Sequence, residues 1–436
     1  MCSQGKAKRE FIIEFFELVL NLQSLSIVFD TFFLLYLIHR PLPSGLTKKP
    51  LDRFAIHIIE ASLRVTYYWP SRLFPKASTM VWWTRSVLNA LSPILGPWWH
   101  DDFLVVETET WNGVTVRIFS PRLNASSDGA VFFIHGGGWA LGNIDVYDSL
   151  TRRIAKMLNV VVVSVEYRLS PETPYPGSLH DCEAALEYFL SVAQNKYGVD
   201  PQKIVMMGDS AGGNLVAAIT QRRRDFGKKP DVMGQVLLYP LLQLADLQSV
   251  SYRYFTKKLH GTSFVDPESV AYYYMFYAGI DMDKHGSLVK SALVNGHVAP
   301  EHRAKVARVL DYESFSHMNY RNETLSEREA VVYSLEAQRL LAPFITDPYF
   351  SPLMQEDLSD LPPAFVMTCE FDVLRDEGLM YAERLKAAGV RTDARNYENG
   401  FHAMLNFHHE IEEAADSLND IVVWTKNLFN SVHTTE

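Results

Sequence analysis

Cysteine is scarce in this chain. Cys2, Cys182 and Cys369 are spread over 436 residues, which excludes a disulfide framework. Basic charge is short as well: 41 Lys and Arg stand against 51 Asp and Glu, a net charge of −10. That balance argues against a nucleic-acid partner, which is held by a basic face able to displace counterions. The one tight basic run, Arg222-Arg223-Arg224, reads as the solvated end of a helix. Internal repeats and low-complexity segments are missing. A glycine-rich stretch at 135–139 lacks the lysine of a phosphate-binding loop, and no spaced Gly-x-Gly-x-x-Gly with a downstream acid follows it. His408, His409 and Glu410 lack metalloprotease spacing. The expectation is no cofactor, no metal and no nucleic acid.

What is present is a chain that is 47% hydrophobic, long enough to bury one large core. Its most informative stretch is Gly208-Asp209-Ser210-Ala211-Gly212-Gly213, between the apolar run Ile204–Met207 and the helix-like Asn214–Ile219. A serine on a sharp strand-to-helix turn has strained backbone, so glycines flank it two residues away on either side. A second glycine cluster, His135-Gly136-Gly137-Gly138-Trp139, closes the apolar strand Ala130–Ile134. Glycines there let backbone N–H groups approach an oxygen that becomes negative during acyl transfer. Gly137 and Gly138, with the Ala211 N–H, are the expected oxyanion hole.

The acid and the histidine should follow in that order, each on a loop at the carboxyl end of a strand. After the strand Ala364–Thr368, Asp376 and Glu377 fall where a helix starts and are explained by its positive end. Glu370 sits at the strand terminus, which leaves Asp372 as the expected acid. His402 follows the strand-like Thr392–Glu398. Ser210, Asp372 and His402 form the expected catalytic set.

Strands are expected near 103–109, 113–120, 130–135, 160–167, 203–208, 234–239, 364–369 and 391–398. The first two read as an antiparallel hairpin joined at Asn112-Gly113, and continuous apolar runs such as Val160–Val163 suit strands buried on both faces of a mostly parallel sheet. Helical spacing marks 178–195 and 376–388, the latter closed by Gly389. About 120 residues, 241–361, lie where one crossover helix would suffice, and they read as a helical cap starting a helix at Asp266-Pro267. The cap holds Tyr252, Tyr254, Phe255, Tyr272, Tyr273, Tyr274, Phe276 and Tyr277, which either line an apolar pocket or pack the cap onto the body.

These motifs, with Glu166-Tyr167-Arg168-Leu169-Ser170-Pro171, Asp372–Gly378 and Gly400-Phe401-His402, resemble the hormone-sensitive lipase branch of the α/β-hydrolases. The resemblance is closer still to its arylacetamide deacetylase and neutral cholesterol ester hydrolase group, and it runs from about residue 100 to the C-terminus. It implies an α/β-hydrolase fold, α/β with a mostly parallel eight-stranded sheet, flanking helices and a helical cap. It implies Ser210 as nucleophile, His402 as general base and later acid, and Asp372 as the residue orienting the imidazole. His135 and Gly136 belong to the same motif. Asp209 resembles the acid found before the serine in this branch; as a residue alone it also reads as a helix-start acid. Relatives can pair a cysteine just after the glycine motif with one near Cys369; Ala140 stands in this chain, so that bridge is expected to be missing.

The first 45 residues differ in character from the rest, and 46–100 read as a helical cap or linker before the catalytic domain at 101–436. In Leu18–Ile38, 15 of 21 residues are apolar, Tyr36 included, long enough to span a bilayer. Asp30 costs roughly 3 kcal/mol on the insertion scale, so spanning is marginally favoured over lying on the surface. The resemblance implies a signal anchor, a type II protein of the endoplasmic reticulum with a lumenal domain. Asn124-Ala125-Ser126 and Asn322-Glu323-Thr324 fit the glycosylation acceptor pattern. The expected activity is hydrolysis of lipophilic carboxylic esters, with arylamide deacetylation by the same residues as the alternative. A non-catalytic small-molecule receptor on this fold is the rival from another class.

Overall fold

Runs of Val, Ile, Phe and Met between turns become strands covered on both faces. In the computed structural model β3 (Ala130–Ile134), β5 (Ile204–Asp209), β6 (Gly234–Leu238) and β7 (Ala364–Phe371) are buried at every residue. The structure describes residues 42–43, 45–47, 49–74, 76–95, 102–228, 232–258, 265–311 and 327–431, so Leu18–Ile38 and Asn322 lie outside it. β1 (Leu104–Trp111), β2 (Val114–Pro121), β4 (Val161–Glu166) and β8 (Thr392–Phe401) complete an eight-stranded sheet in the order β1-β2-β4-β3-β5-β6-β7-β8. β2 is antiparallel to both β1 and β4, and every pairing from β4 to β8 is parallel. The β1–β2 turn places Asn112 at φ 48° and Gly113 at φ 86°, the left-handed pair that a two-residue hairpin needs.

Alternate residues of β3 face opposite layers. Phe132 packs on Phe189 of the helix Gly177–Tyr197 at 6.3 Å, and Phe133 packs on Tyr147, which starts the helix Asp148–Leu158, at 6.0 Å. The helix Ala211–Asp225 joins the first layer and Glu412–Asn430 the second. The Arg222-Arg223-Arg224 run is not a solvated helix end. Arg222 pairs with Glu183, Arg223 with Glu187 at 2.7 Å, and Arg224 donates to the Asp357 and Ser359 carbonyls at 2.8 Å. The helix ends beside a neighbouring helix and the approach to β7, so its basic turn ties layers together.

Between β6 and β7 the chain leaves the sheet for the helices Val250–Lys258, Pro267–Tyr277, Met282–His285, Leu288–Leu293, Pro300–Val309 and Leu335–Ile345. Asp266 caps the second of these, its carboxylate accepting from the Ser269 N–H at 2.7 Å, with Pro267 at the first helical position. Of the two roles open to the cap aromatics, Tyr277 takes packing. Its ring lies flat on Trp139 of the glycine-rich loop at 4.1 Å and on Phe350 at 4.9 Å. Fully buried aromatics of this size contribute about 2 to 3 kcal/mol each by area.

Two N-terminal helical segments, Pro50–Leu73 and Ala77–Leu95, lie against the cap and the body. Tyr67 donates to Ser269 at 2.9 Å and Ser78 to Asp283 at 2.7 Å. Arg85 reaches the Ala140 and Ser170 carbonyls at 2.6 and 2.5 Å, bracing the glycine-rich loop from outside.

Candidate active site

Ser210 follows β5 directly and starts the helix Ala211–Asp225 with φ 53° and ψ −119°, a conformation costly for any residue with a Cβ. The flanking glycines serve close approach. A Cβ on Gly208 would stand 2.5 Å from the Gly212 carbonyl oxygen, and one on Gly212 would stand 2.0 Å from the Ile134 oxygen. The elbow is therefore pressed against the end of β3, where the second glycine cluster begins.

β7 runs past Cys369 to Phe371, which keeps Glu370 in the strand and makes Asp372 the first residue of the loop. β8 runs past Glu398 to Phe401, so His402 leaves the neighbouring strand end. The structure brings the three groups into line: Ser210 Oγ donates to His402 Nε2 at 3.0 Å, and His402 Nδ1 donates to Asp372 Oδ2 at 2.8 Å. The other Asp372 oxygen accepts from the Leu374 N–H at 2.9 Å, which fixes the carboxylate plane. Burial disfavours the His402 cation, but the Asp372 charge and hydrogen bond outweigh it, and the imidazole is raised above its ordinary 6.5. The Tyr239 ring stands edge-on to His402 at 5.1 Å.

Gly137 and Gly138 occupy left-handed backbone at φ 109° and 61°. A Cβ on Gly137 would lie 2.2 Å from the Leu141 carbonyl oxygen, and one on Gly138 would lie 2.4 Å from the Tyr273 ring. The Ala211 N–H is at the positive end of the helix after Ser210. Asp209 is not a helix-start acid. It is buried at the end of β5, where Oδ1 accepts from the Gly136 N–H at 2.7 Å and Oδ2 from the Tyr147 hydroxyl at 2.9 Å. Burial pushes this carboxyl up to about 6, with the two donors opposing. Asp209 thus couples the residue before the serine to the glycine loop across the sheet.

His135 is buried and holds the loop in another way. Its Nδ1 bonds the Gly136 carbonyl at 2.8 Å, and its ring stacks on Tyr167 at 4.3 Å, whose hydroxyl donates to the His135 carbonyl at 2.8 Å. Burial pushes it down to about 4, so it is a neutral structural imidazole near pH 7.

Asp376 and Glu377 do start the helix Arg375–Ala387, yet the helix end explains them only in part. Both are buried and hold the departing cap. Asp376 accepts from the Ser251 N–H at 2.7 Å; Glu377 accepts from the Leu242 and Gln243 N–H groups and from Tyr252. Burial pushes Glu377 up to about 8. Sequence reasoning did not assign Tyr147, Tyr167, Tyr239 or Glu377 these roles. Tyr167 and Glu377 stand in motifs that carried the resemblance, whereas Tyr147 and Tyr239 have no local signal.

The family described as alpha/beta hydrolase fold matches residues 131–300 and 298–406. Neutral cholesterol ester hydrolase 1 of Mus musculus is 36% identical over 313 residues, covering 70% of this chain and 74% of the relative. Arylacetamide deacetylase of Oryctolagus cuniculus is 35% identical over 315 residues, covering 71% and 76%. Among solved structures, an esterase of Pyrobaculum calidifontis superposes with a TM-score of 0.56 at 30% identity, covering 80% of this chain and 93% of that one. The chain therefore belongs to the α/β-hydrolase family, in the group of neutral cholesterol ester hydrolase and arylacetamide deacetylase.

Proposed function

We propose that this chain is a serine hydrolase of lipophilic carboxylic esters, working through an acyl-enzyme on Ser210. The hydrogen-bonded line from Ser210 through His402 to Asp372 carries the reading. His402 Nε2 takes the Ser210 proton as Oγ attacks the ester carbonyl. The oxygen that becomes negative is held by the N–H groups of Gly137, Gly138 and Ala211. His402, held in the right tautomer by Asp372, then gives its proton to the leaving alcohol. Water repeats the sequence on the acyl-enzyme and frees Ser210. His135, Gly136 and Asp209 keep the donors in place.

Two relatives of this group carry names that concern a cholesterol ester and an arylacetamide, and both chemistries fit the same residues. The amide reading differs in asking His402 to protonate an amine. A panel of esters and amides graded by acyl length, run on wild type and Ser210→Ala, separates them. Turnover retained in Ser210→Ala would overturn the mechanism.

The apolar run Leu18–Ile38 supports attachment to a membrane, and the family resemblance supports a type II protein of the endoplasmic reticulum with a lumenal catalytic domain. No helix among the described residues is long and apolar enough to cross a membrane. Asn124 is exposed, as a glycan acceptor must be. Carbonate extraction of cell membranes, with glycosidase treatment to test Asn124 and Asn322, checks this part. Full-length protein released by carbonate and carrying no glycan would overturn it.

A further inference from the structure

The N-terminal helical stretch Pro50–Leu73 has its polarity inverted. Glu60 and Arg64, an ion pair one turn apart, are turned inward at 1% and 0% exposure. Leu51, Phe54, Ile58 and Val65 follow one another at helical spacing on the outward side, at 83%, 66%, 54% and 53% exposure. A helix facing water shows the opposite arrangement. Leu73 and Trp82 are also exposed, at 72% and 65%. Arg72 and Lys76, between Val65 and Trp82 in the chain, are exposed basic side chains.

We propose that this outward face is a second membrane contact, seated in the interface of a phospholipid bilayer and separate from the anchor run. Phe54, Ile58 and Trp82 enter the boundary between head groups and acyl chains, where aromatic and aliphatic side chains are favoured, and the exposed Arg72 and Lys76 meet lipid phosphate. Chain length agrees with a bilayer as the occupant. The apolar run stops at Ile38, and twelve residues later the helix begins at Pro50, so a chain held at a bilayer by that run delivers this face to the same surface. The face also adjoins a cleft. Arg72 and Phe74, on either side of Leu73, line a cleft of about 330 Å³ with Tyr67, Met80 and Tyr272. Tyr67 touches Tyr273, the ring that lies over Gly138.

The test uses the full chain bound to phosphatidylcholine vesicles containing a minor fraction of phosphatidylserine, with bromine on the acyl chains. Bromine quenches tryptophan on contact, so wild type should lose fluorescence that Trp82→Phe no longer has to lose. A Phe54→Ser, Ile58→Ser double variant changes exposed positions and leaves the fold intact. It should hydrolyse a short soluble ester as wild type does and a vesicle-borne ester about tenfold more slowly. A Trp82 signal that bromine leaves untouched would overturn the proposal, as would a double variant equal to wild type on both substrates. So would a Phe54→Cys variant that cross-links to residues 1–41 or to a second copy while Trp82 stays unquenched, since that identifies another occupant. Failure of wild type to cleave the soluble ester strikes the esterase reading instead and leaves the quenching result to decide this one.

Discussion

The ring of Tyr273 lies over Gly138, so that a Cβ on the glycine would stand 2.4 Å from ring Cγ. Gly137, next to it, meets backbone instead, the Leu141 oxygen at 2.2 Å. The two glycines should respond differently to the same remedy. Gly138→Ala is expected to lose about 100- to 1,000-fold in kcat, the cost of a displaced oxyanion donor, and to recover part of it when combined with Tyr273→Ala. Gly137→Ala should gain nothing from the second change. A double-mutant cycle in kcat/KM checks this, and equal rescue of both glycines would refute the packing argument.

Ser210→Ala and His402→Ala should each lower kcat on the order of a million-fold, because residues of such a line act as a unit. Asp372→Asn should cost about 10,000-fold by offering His402 the wrong tautomer. Asp376→Asn should be far milder on kcat, since Asn still accepts from Ser251. Rates with a soluble ester give the order, and the reverse order for the two aspartates would displace Asp372 from its role.

Asp209→Asn and Asp209→Ala should separate geometry from charge. Asn keeps an oxygen for the Gly136 N–H and turns its Nδ2 amide toward the Tyr147 hydroxyl, which then accepts instead of donating, whereas Ala leaves both buried groups unpaired. Asn is expected to retain most activity and Ala to approach the roughly 100-fold loss of a displaced oxyanion donor, with KM little changed. Equal damage from both variants would show that the charge itself matters.

The pH profile should carry the mark of His402. Its cation is favoured beyond the ordinary 6.5, so the neutral base is lost at higher pH than a free imidazole would show. kcat/KM is expected to fall as pH drops through a value above 6.5. An acid limb below 6.5 would contradict the Asp372 contact.

Glu377 should leave its mark on stability. Its carboxyl is raised from 4.5 to about 8 on folding, so between those values the folded chain holds a proton that the unfolded chain has released. This contribution is fully present below 4.5 and is lost as pH rises through 8. Glu377→Gln removes it while keeping an acceptor for Leu242 and Gln243. Wild type should therefore lose Tm relative to the variant as pH goes from 5 to 8, measured by thermal unfolding, and a constant difference would refute the assignment.

Much of this was legible in the chain because strand ends carry the chemistry. Apolar runs buried on both faces mark the central strands β3, β5, β6 and β7, the Asn112-Gly113 turn marks β1 and β2, and Ser210, Asp372 and His402 each lie at or just past the end of a strand. What the sequence concealed came from partners distant along the chain. Tyr147 reaches Asp209 across 62 positions, and Glu377 meets Gln243 across 134; no local pattern records such pairs. The triple-arginine run misled for a related reason, since charge patterning says nothing about acids that a neighbouring helix supplies.

The backbone at Ser210 has a consequence for anyone trying to harden this protein. Its φ of 53° and ψ of −119° suit glycine, and a serine held there costs about 1 to 3 kcal/mol that the surrounding sheet and helix must absorb. A selection for heat resistance alone would drift toward Ser210→Gly, a more durable molecule without the proposed nucleophile. Durability and turnover compete at this one position, and only a screen that demands both will keep the serine.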